Sequence, residues 1–256
     1  MIINYLVGGL GNQLFQIAAG YSHSIDMQTS YAINYDFKSG YGQGQHPSRY
    51  KNTLYKKIKK TKKNIFKIVD QRGYAFAPIP KVDEICLRGY FQSDKFFKKN
   101  QLAIKNLFEF PTKIKSKIKT RMCNLNKKKN VGIHIRRGDY LKLSNTHPPI
   151  SKEYIFSSLQ LFEKENFNFL IFSDDIQFVR NEFSGENFKF MNNADEIEDL
   201  FALSICDSII MSNSSFSWWA NWLGKKKEKT IAPKNWFGPD GPKNTNDLYD
   251  SDWITI

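Results

Sequence analysis

The chain has 256 residues, 41% hydrophobic and 15% aromatic, which is enough apolar material for one large core or two small ones and argues against global disorder. No stretch approaches the roughly 20 apolar residues that span a bilayer, and the N-terminus lacks a signal-peptide pattern, so the expected location is the cytoplasm. The net charge of +13 admits a polyanionic ligand, nucleic acid or an anionic membrane surface.

The positive charge is concentrated in two lysine-rich runs, residues 56–63 and 113–129. Neither run has the interleaved aromatic residues or arginine forks of specific nucleic-acid readers, so we expect no nucleic-acid partner. Two interpretations remain open for them: a solvated surface, and peripheral contact with the inner face of an anionic membrane.

In chain order, the N-terminal half opens with a strand, a glycine turn and a helix. The apolar run at 2–7 predicts a strand, which Gly8 and Gly9 interrupt, and residues 12–27 carry apolar side chains at helical spacing. A second short strand is predicted at 31–35. The glycine turn therefore lies at the carboxyl end of the first strand, where parallel α/β sheets bind ligands.

The remainder of this half is less regular. Residues 37–80 are rich in glycine, polar groups and lysine, and predict a long loop with one or two helices. A strand is expected at 85–89, followed by a helix. A basic helix near residue 120 is expected to close the N-terminal half.

The C-terminal half alternates apolar strand-like runs with amphipathic helical runs, a pattern that predicts a doubly wound parallel sheet. Two α/β halves facing each other across a cleft, 1–120 and 121–256, are the expected architecture. Strands are predicted near 131–135, 169–172, 188–191, 208–211 and 230–232, and helices near 152–164, 176–183, 196–206 and 215–223.

The glycine turn GGLGNQ is the first of three segments suited to binding an anion. Positions without side chains, among them Gly9 and Gly11, let the backbone approach a ligand, and the helix that follows offers unpaired amides. Asn12 and Gln13 either cap this helix or touch a sugar. The spacing matches neither the dinucleotide-binding nor the P-loop pattern.

The second segment, HIRRGDY, stands where a buried strand ends. Strand alternation would send Arg136 and Arg137 to opposite faces unless the strand has ended, so at least one should face the cleft, beside His134. A guanidinium offers a permanently charged fork for phosphate oxygens. Asp139 would fix that fork or receive a proton; a purely structural arginine–aspartate pair is the alternative.

The third segment, SNSSFSWWANWL, opens a helix with serines whose hydroxyls and backbone amides form a phosphate cradle. In the fourth and weaker element, FSDD, Asp174 either accepts hydrogen bonds from guanine or caps the next helix. The substrate-binding candidates of the third segment are Asn213, Ser214, Ser215 and Phe216. Neither the cysteine spacing nor an Asp-x-Asp motif predicts a metal site.

Together these segments resemble the α-1,2-fucosyltransferase family over nearly the whole chain. The similar motifs, in order, are GGLGNQLFQIAAG, GYFQSDKFF, HIRRGDY, FSDD, NSSFSWWANWL and IAPKNWF. The resemblance implies a GT-B type fold of two Rossmann-like halves, with the acceptor side in the first half and the donor GDP-fucose bound by the second. It also implies an inverting mechanism without a metal or other cofactor.

Carried onto this sequence, the family pattern makes Arg136 the main ligand of the donor diphosphate, with Arg137 and Asp139 in support. It puts His134 and Asp174 near the guanosine, Ser214 and Ser215 on phosphate oxygens, and Asn12 near the fucose and the β-phosphate. Asp139 is the first candidate for a general base and Glu153 the second.

The expected reaction is transfer of fucose to a sugar hydroxyl, the 2-hydroxyl of a galactoside, in an α-1,2 linkage. Three alternatives stay open: a related transferase with another linkage or nucleotide-sugar donor, a noncatalytic sugar-nucleotide binding module, and a protein that binds nucleic acid or an anionic surface.

Overall fold

The computed structural model divides the chain into two compact units. The first unit comprises Met1–Pro111 and Asn244–Tyr249, and the second comprises Thr112–Lys243 and Asp250–Ile256. Both contain parallel sheets with helices, as the predicted α/β class requires. The structure describes residues 1–36, 44–65, 67–123, 125, 128–191 and 195–256, so part of the predicted loop at 37–80 lies outside the described residues.

The first unit is built on short parallel strands. Strands β1, β5 and β4 form a sheet in that order, and β2 pairs with β3 in a two-stranded ribbon, beside an isolated parallel bridge between Tyr31 and Ile2. Its elements are β1 (Ile2–Asn4), α1 (Leu10–Asp26), β2 (Ala32–Ile33), β3 (Lys59–Lys60), β4 (Ile68–Asp70), β5 (Ile85–Arg88) and α2 (Gln101–Leu107). The helix predicted directly after 85–89 is only a one-turn 3-10 segment, Asp94–Phe96.

Helix α1 lies in the core of the first unit. Leu14, Phe15, Ala18, Ala19 and Ser22, which share the predicted apolar stripe, are all buried. Because protein interiors are closely packed, a helix with this many buried side chains cannot shift easily. The glycine turn before α1 is therefore anchored by the helix that it opens.

The second unit contains the helices and strands predicted for its sequence, with ends moved by a few residues, and one strand that was not predicted, β11. They are α3 (Thr112–Cys123), β6 (Lys129–Ile135), α4 (Lys152–Leu159), β7 (Phe167–Ser173), α5 (Ile176–Glu182), β8 (Phe188–Phe190), α6 (Glu196–Ser204), β9 (Ser208–Ile210), α7 (Ser215–Leu223), β10 (Thr230–Ala232) and β11 (Ile254–Thr255).

All six strands of the second unit are parallel, in the order β8–β7–β6–β9–β10–β11. Numbered within the unit this order is 3-2-1-4-5-6, that of dinucleotide-binding sheets. The order reverses between β6 and β9. Ligands of such sheets bind outside the carboxyl ends of the strands at that reversal, here called the switch point.

Helices cover both faces of this sheet. Val131 and Ile133 of β6 point into an apolar cluster that includes Tyr154 of α4 and Val179 of α5. On the opposite face, Gly132 lets α6 pack closely on β6, since a methyl group added at this glycine would lie 2.4 Å from the Leu203 side chain of α6. The predicted doubly wound arrangement is confirmed.

The predicted boundary at residue 120 is wrong for helix α3, which opens the second unit instead of closing the first. The reason is its packing: Ile118 is completely buried, and Lys117 donates to Glu198 of α6 at 2.7 Å. Residues 244–249 return to the first unit, where Asp247 accepts from Lys95 and from the Phe76 backbone. Among the described residues, no helix is both long and apolar enough to cross a bilayer.

Candidate active site at the carboxyl ends of the parallel strands

A buried hydrogen bond joins the two strands that flank the switch point. His134, near the end of β6, and Ser212, just beyond β9, are linked through Nδ1 and Oγ at 2.7 Å. The His134 ring also packs against Phe216 of α7, with 5.2 Å between centroids. The motif HIRRGDY and the serine turn, residues 212–215, are therefore held side by side.

The pKa of His134 is lowered to about 3, chiefly by burial; the Asp174 carboxylate opposes this shift and the positive charge of Arg136 adds to it. The imidazole is thus neutral at physiological pH. A neutral ring is both donor and acceptor, so it can bond Ser212 and a ribose or base without adding charge.

Arg136 lies immediately beyond β6, bracketed by two carboxylates. Its Nη2 is 2.7 Å from Asp139 Oδ1 and its Nη1 is 2.9 Å from Asp174 Oδ2. The guanidinium also lies over the ring of Tyr140 at 5.7 Å. These contacts fix the plane of the fork, and the side chain keeps a third of its surface exposed for a ligand.

Arg137 points elsewhere. Its guanidinium stacks on Phe178 of α5 at 3.5 Å from the ring centroid, and its Nε donates to Asp175 at 3.2 Å. Asp175 also caps α5 by accepting from the Phe178 amide. Strand β6 ends at Ile135, so both arginines lie beyond the strand, and the structure does not bring the Arg137 guanidinium together with Arg136.

Asp174 does not cap α5, because Asp175 does. One Asp174 oxygen accepts from the Arg137 amide at 2.9 Å and the other pairs with Arg136. The first candidate base, Asp139, is likewise engaged with Arg136. The second candidate, Glu153, lies exposed in the first turn of α4, where hydrogen bonds from its own amide and from Ser151 lower its pKa and make it a weaker base.

The serine turn opens α7. Ser214 is the N-cap, and its hydroxyl accepts from the Phe216 amide at 3.3 Å; Ser215 is the first helical residue. Asn213 is buried and donates to the Pro148 and Trp236 carbonyls at 2.9 and 3.0 Å, so it ties the turn to two loops. The helix N-terminus thus presents amides that suit an anion.

In the first unit, the glycine turn is shaped by backbone constraints. Gly8 has φ +77, a conformation that favours glycine, and a methyl group at Gly44 would lie 1.8 Å from the Gly8 carbonyl oxygen. Gly9 is the N-cap of α1 without any side-chain cap, and Gly11 is buried inside the helix. The expectation that Asn12 or Gln13 caps α1 is therefore wrong.

Two buried glutamines hold the glycine turn from inside. Gln13 donates to the Gly8 and Gln45 carbonyls at 2.9 and 2.7 Å and accepts from Tyr55 at 3.2 Å. Gln16 bonds both the amide and the carbonyl of Val7. Since Gln13 is completely buried with these partners, its place is in the turn and not on a sugar.

Three residues that contribute to the geometry were not among the predicted candidates. Ser212 bonds His134, Tyr140 lies under Arg136, and Gln92 donates to Asn12 at 2.7 Å. Tyr140 also donates to the Asn213 carbonyl at 3.1 Å, and burial raises its pKa to about 12, so it stays a donor. All three residues lie inside motifs named in the sequence analysis, and this position in a motif is the feature that could have identified them.

Within the described residues, no three or more His, Cys, Asp or Glu side chains are grouped as metal ligands would be. Independence from metal stays a prediction.

Known proteins match this sequence along nearly its whole length. An Escherichia coli α-1,2-colitosyltransferase is 27% identical, with 100% of this chain and 99% of the relative covered. The O-antigen biosynthesis glycosyltransferase WbnK of E. coli is 26% identical, with 98% and 99% covered. These values, spread over whole chains, show similarity throughout both units.

Solved structures share the fold at low identity. POFUT1 in complex with GDP-fucose superposes with a TM-score of 0.55 at 10% identity, covering 90% of this chain and 96% of that one. The fucosyltransferase NodZ from Bradyrhizobium gives 0.52 at 12% identity, covering 87% and 93%. The predicted GT-B type fold is confirmed.

The family itself is identified by sequence. The model of glycosyl transferase family 11 matches residues 51–256, which include the motif HIRRGDY, the serine turn and most of both units. The predicted family is confirmed, and with it the activity class of glycosyltransferase. The chain is a member of glycosyl transferase family 11.

Proposed function

We propose that this protein transfers L-fucose from GDP-fucose to the 2-hydroxyl of a galactoside, with inversion and in an α-1,2 linkage. The observation that carries the proposal is the bracketed guanidinium of Arg136 at the switch point, beside the N-terminus of α7. A fixed cationic fork next to a helix N-terminus suits the diphosphate of a sugar nucleotide. The colitosyltransferase relative supports the α-1,2 linkage.

In the proposed reaction, the acceptor oxygen bonds to the anomeric carbon while the bond from that carbon to the β-phosphate oxygen breaks. GDP departs with the electron pair, and the hydroxyl proton passes to a base or to solvent. Arg136 and the serine-turn amides stabilise the charge that grows on the leaving diphosphate. No step requires a metal ion, because the cation is supplied by the guanidinium.

For the general base we propose Asp139 before Glu153. Asp139 lies against Arg136, at the ligand end of β6, whereas Glu153 is exposed on α4 with a lowered pKa. A base contributes about 10² to 10⁴ in rate, so its removal is a measurable change. In the same proposal the Asp174 carboxylate, freed when the diphosphate takes up Arg136, accepts from guanine.

The acceptor and the sugar of the donor are the least constrained parts. The colitosyltransferase relative makes GDP-colitose the second donor to test. The noncatalytic alternative would bind GDP and transfer nothing, and a charge-driven binder would prefer any polyanion.

We further propose that the lysine-rich face of α3 permits peripheral contact with an anionic membrane. Lys113, Lys119 and Arg121 are exposed there, and each basic residue near such a surface is worth about 1 kcal/mol. Sedimentation with phosphatidylserine vesicles, compared with phosphatidylcholine vesicles, tests this contact. Equal sedimentation with both would contradict it.

The test of function is product formation in excess EDTA. GDP release and glycan mass are followed with lactose as acceptor and GDP-fucose or GDP-colitose as donor, and NMR of the product gives the linkage. We expect a fucosylated product with an α-1,2 linkage. Preference for GDP-colitose would correct the donor, and activity restored only by a divalent ion would refute the metal-free mechanism.

A further inference from the structure

The ring of Tyr140 is a contact of Arg136 that a bound diphosphate would not displace. Asp139 and Asp174 hold the guanidinium by ion pairs, and an anion that binds the same fork competes with both carboxylates. The aromatic ring lies 5.7 Å from the guanidinium carbon, and a cation keeps its attraction to such a ring while its N–H groups bind an anion. The position of the fork therefore depends on where Tyr140 is held.

Tyr140 is held both at its hydroxyl and along its ring. The hydroxyl donates to the Asn213 carbonyl at 3.1 Å. The ring stacks on His147, with 5.2 Å between centroids and 22° between the ring planes. The hydrogen bond leaves rotation about the long axis of the ring open, so the stack with His147 fixes the ring plane.

The loop that carries His147 is tied down on both sides of this residue. The Thr146 carbonyl before it accepts from the Gly238 amide at 3.0 Å, and the Pro148 carbonyl after it accepts from the Asn213 side chain at 2.9 Å. The loop cannot shift without breaking these hydrogen bonds. The backbone thus fixes the place from which the imidazole reaches Tyr140.

The imidazole of His147 acts here through its packing. Burial lowers the pKa of His147, with the Asp139 carboxylate opposing the shift, so the ring is neutral at pH 7. Its Nδ1 is buried and has no hydrogen-bond partner within the described part of the chain. On its other side the ring packs against Phe237, with 5.4 Å between centroids. The ring therefore gives Tyr140 a flat face and adds no charge beside Arg136.

From this chain of contacts we propose that His147 is a positioning residue of the donor site, which acts through the ring of Tyr140 to hold the Arg136 fork in place for the diphosphate. The inference rests on the proposed function, in which Arg136 binds the diphosphate of the donor. Since Arg136 stabilises the charge that grows on the leaving group, its displacement should lower kcat more than it weakens the binding of GDP.

Replacement by another ring and a double-mutant cycle test this role. Calorimetry gives the GDP affinity, and GDP release from GDP-fucose with lactose gives kcat and KM. We expect His147→Ala to weaken GDP binding about two- to tenfold and to lower kcat about ten- to a hundredfold. His147→Phe keeps a ring against Tyr140 and should stay within about twofold of wild type in both values.

The second background and the control show whether the effect passes through Tyr140. In a Tyr140→Leu background the ring is absent, so His147→Ala should change neither value further. Leu141→Ala is the matched control, because Leu141 is exposed in the same segment and its truncation should leave both values unchanged. Should Tyr140→Leu fail to fold, the comparison of His147→Ala with His147→Phe decides alone.

Equal losses in His147→Ala and His147→Phe, an equal loss from His147→Ala in both backgrounds, or no loss at all would overturn the inference. Lower stability in urea with GDP affinity and kcat retained would also overturn it, since His147 would then serve the fold alone. A wild type that binds GDP but turns over neither GDP-fucose nor GDP-colitose refutes the proposed reaction, and the calorimetry still decides on His147. A wild type that binds no GDP refutes the assignment of Arg136 and this inference with it.

Discussion

The glycine turn of the first unit and the serine turn of the second are two solutions to holding a loop at the end of a parallel strand. The glycine turn owes its shape to the backbone: Gly8 has a positive φ, Gly44 allows a close approach, and Gln13 fills the space beneath. The serine turn is held by side chains, through the buried Ser212–His134 bond and the Asn213 bonds to two loops.

The difference between the turns lies in what each offers a ligand. Only the second unit joins its turn to a fixed charge, because Arg136 stands at the end of the neighbouring strand. The first unit offers amides, from Asn12 and the start of α1. We therefore expect substitutions at the second site to remove phosphate stabilisation, and substitutions at the first to act on stability or on positioning.

The largest effect is expected at Arg136. Removing one preorganised donor to a developing anion costs about 2.7 to 4 kcal/mol, roughly 10² to 10³ in rate. Arg136→Ala should thus lower kcat at least about a hundredfold, and Arg136→Lys should recover little because a lysine lacks the fork. Steady-state GDP release gives the values, with circular dichroism to verify the fold.

Arg137→Ala is the matched control for that prediction. Its guanidinium stacks on Phe178, so its loss should affect stability more than turnover. Near-wild-type turnover by Arg136→Ala, or an equal loss in both variants, would contradict the separate roles of the two arginines.

At Gln13 of the glycine turn we expect an effect on stability alone. Gln13→Ala removes the hydrogen bonds that this completely buried side chain makes with Gly8, Gln45 and Tyr55, and each such bond contributes about 0.5–1.5 kcal/mol. Urea denaturation should show the loss, with the exposed Gln101→Ala as control. Unchanged stability together with weaker GDP binding would instead indicate that Gln13 contacts the ligand.

The buried histidine predicts a pH dependence of stability. Below pH 6.5 the unfolded chain protonates this residue while the folded chain, with its pKa near 3, does not. The free energy of unfolding therefore falls as the pH drops from 6.5 towards 3, by about 1.4 kcal/mol per unit at most. Urea titrations at pH 7, 6 and 5 should show a steeper loss for wild type than for His134→Asn; parallel curves would contradict the neutral ring.

The smallest effect is expected at the helix caps. Ser214→Ala and Ser151→Ala each remove an N-cap hydroxyl, of α7 and α4 respectively, and each should cost about 1 kcal/mol of stability. Only Ser214→Ala should also weaken GDP binding, as measured by calorimetry. Equal GDP affinity in the two variants would show that the Ser214 hydroxyl does not contribute to binding the phosphates.

The fold of the second unit was predictable because its central strands β6, β7, β9 and β10 are buried along most of their length and read as largely apolar runs. The positions of Arg136 and the serine turn followed from where those runs stop. Strand β11 was missed, since Ile254 and Thr255 are too few to give a periodic signal, and only their pairing with β10 defines them.

The first unit resisted prediction for two reasons. Its strands β3 and β4 are short and largely exposed, so they lack the apolar pattern that marks a buried strand. The turn that carries Gln92 depends on a positive φ at Phe91, which no local rule assigns to a phenylalanine. The predicted boundary between the units was displaced because the many charged residues of α3 obscure its one buried face, which carries Ile118.

The most direct test of the central claim, that Arg136 at the switch point holds a guanosine diphosphate, is calorimetric titration with GDP in EDTA, beside ADP, UDP and a short DNA duplex. We predict selective binding of GDP by wild type and Arg137→Ala, and its loss in Arg136→Ala. Absence of GDP binding, together with tight DNA binding that falls steeply with salt, would contradict the claim and identify a charge-driven binder instead.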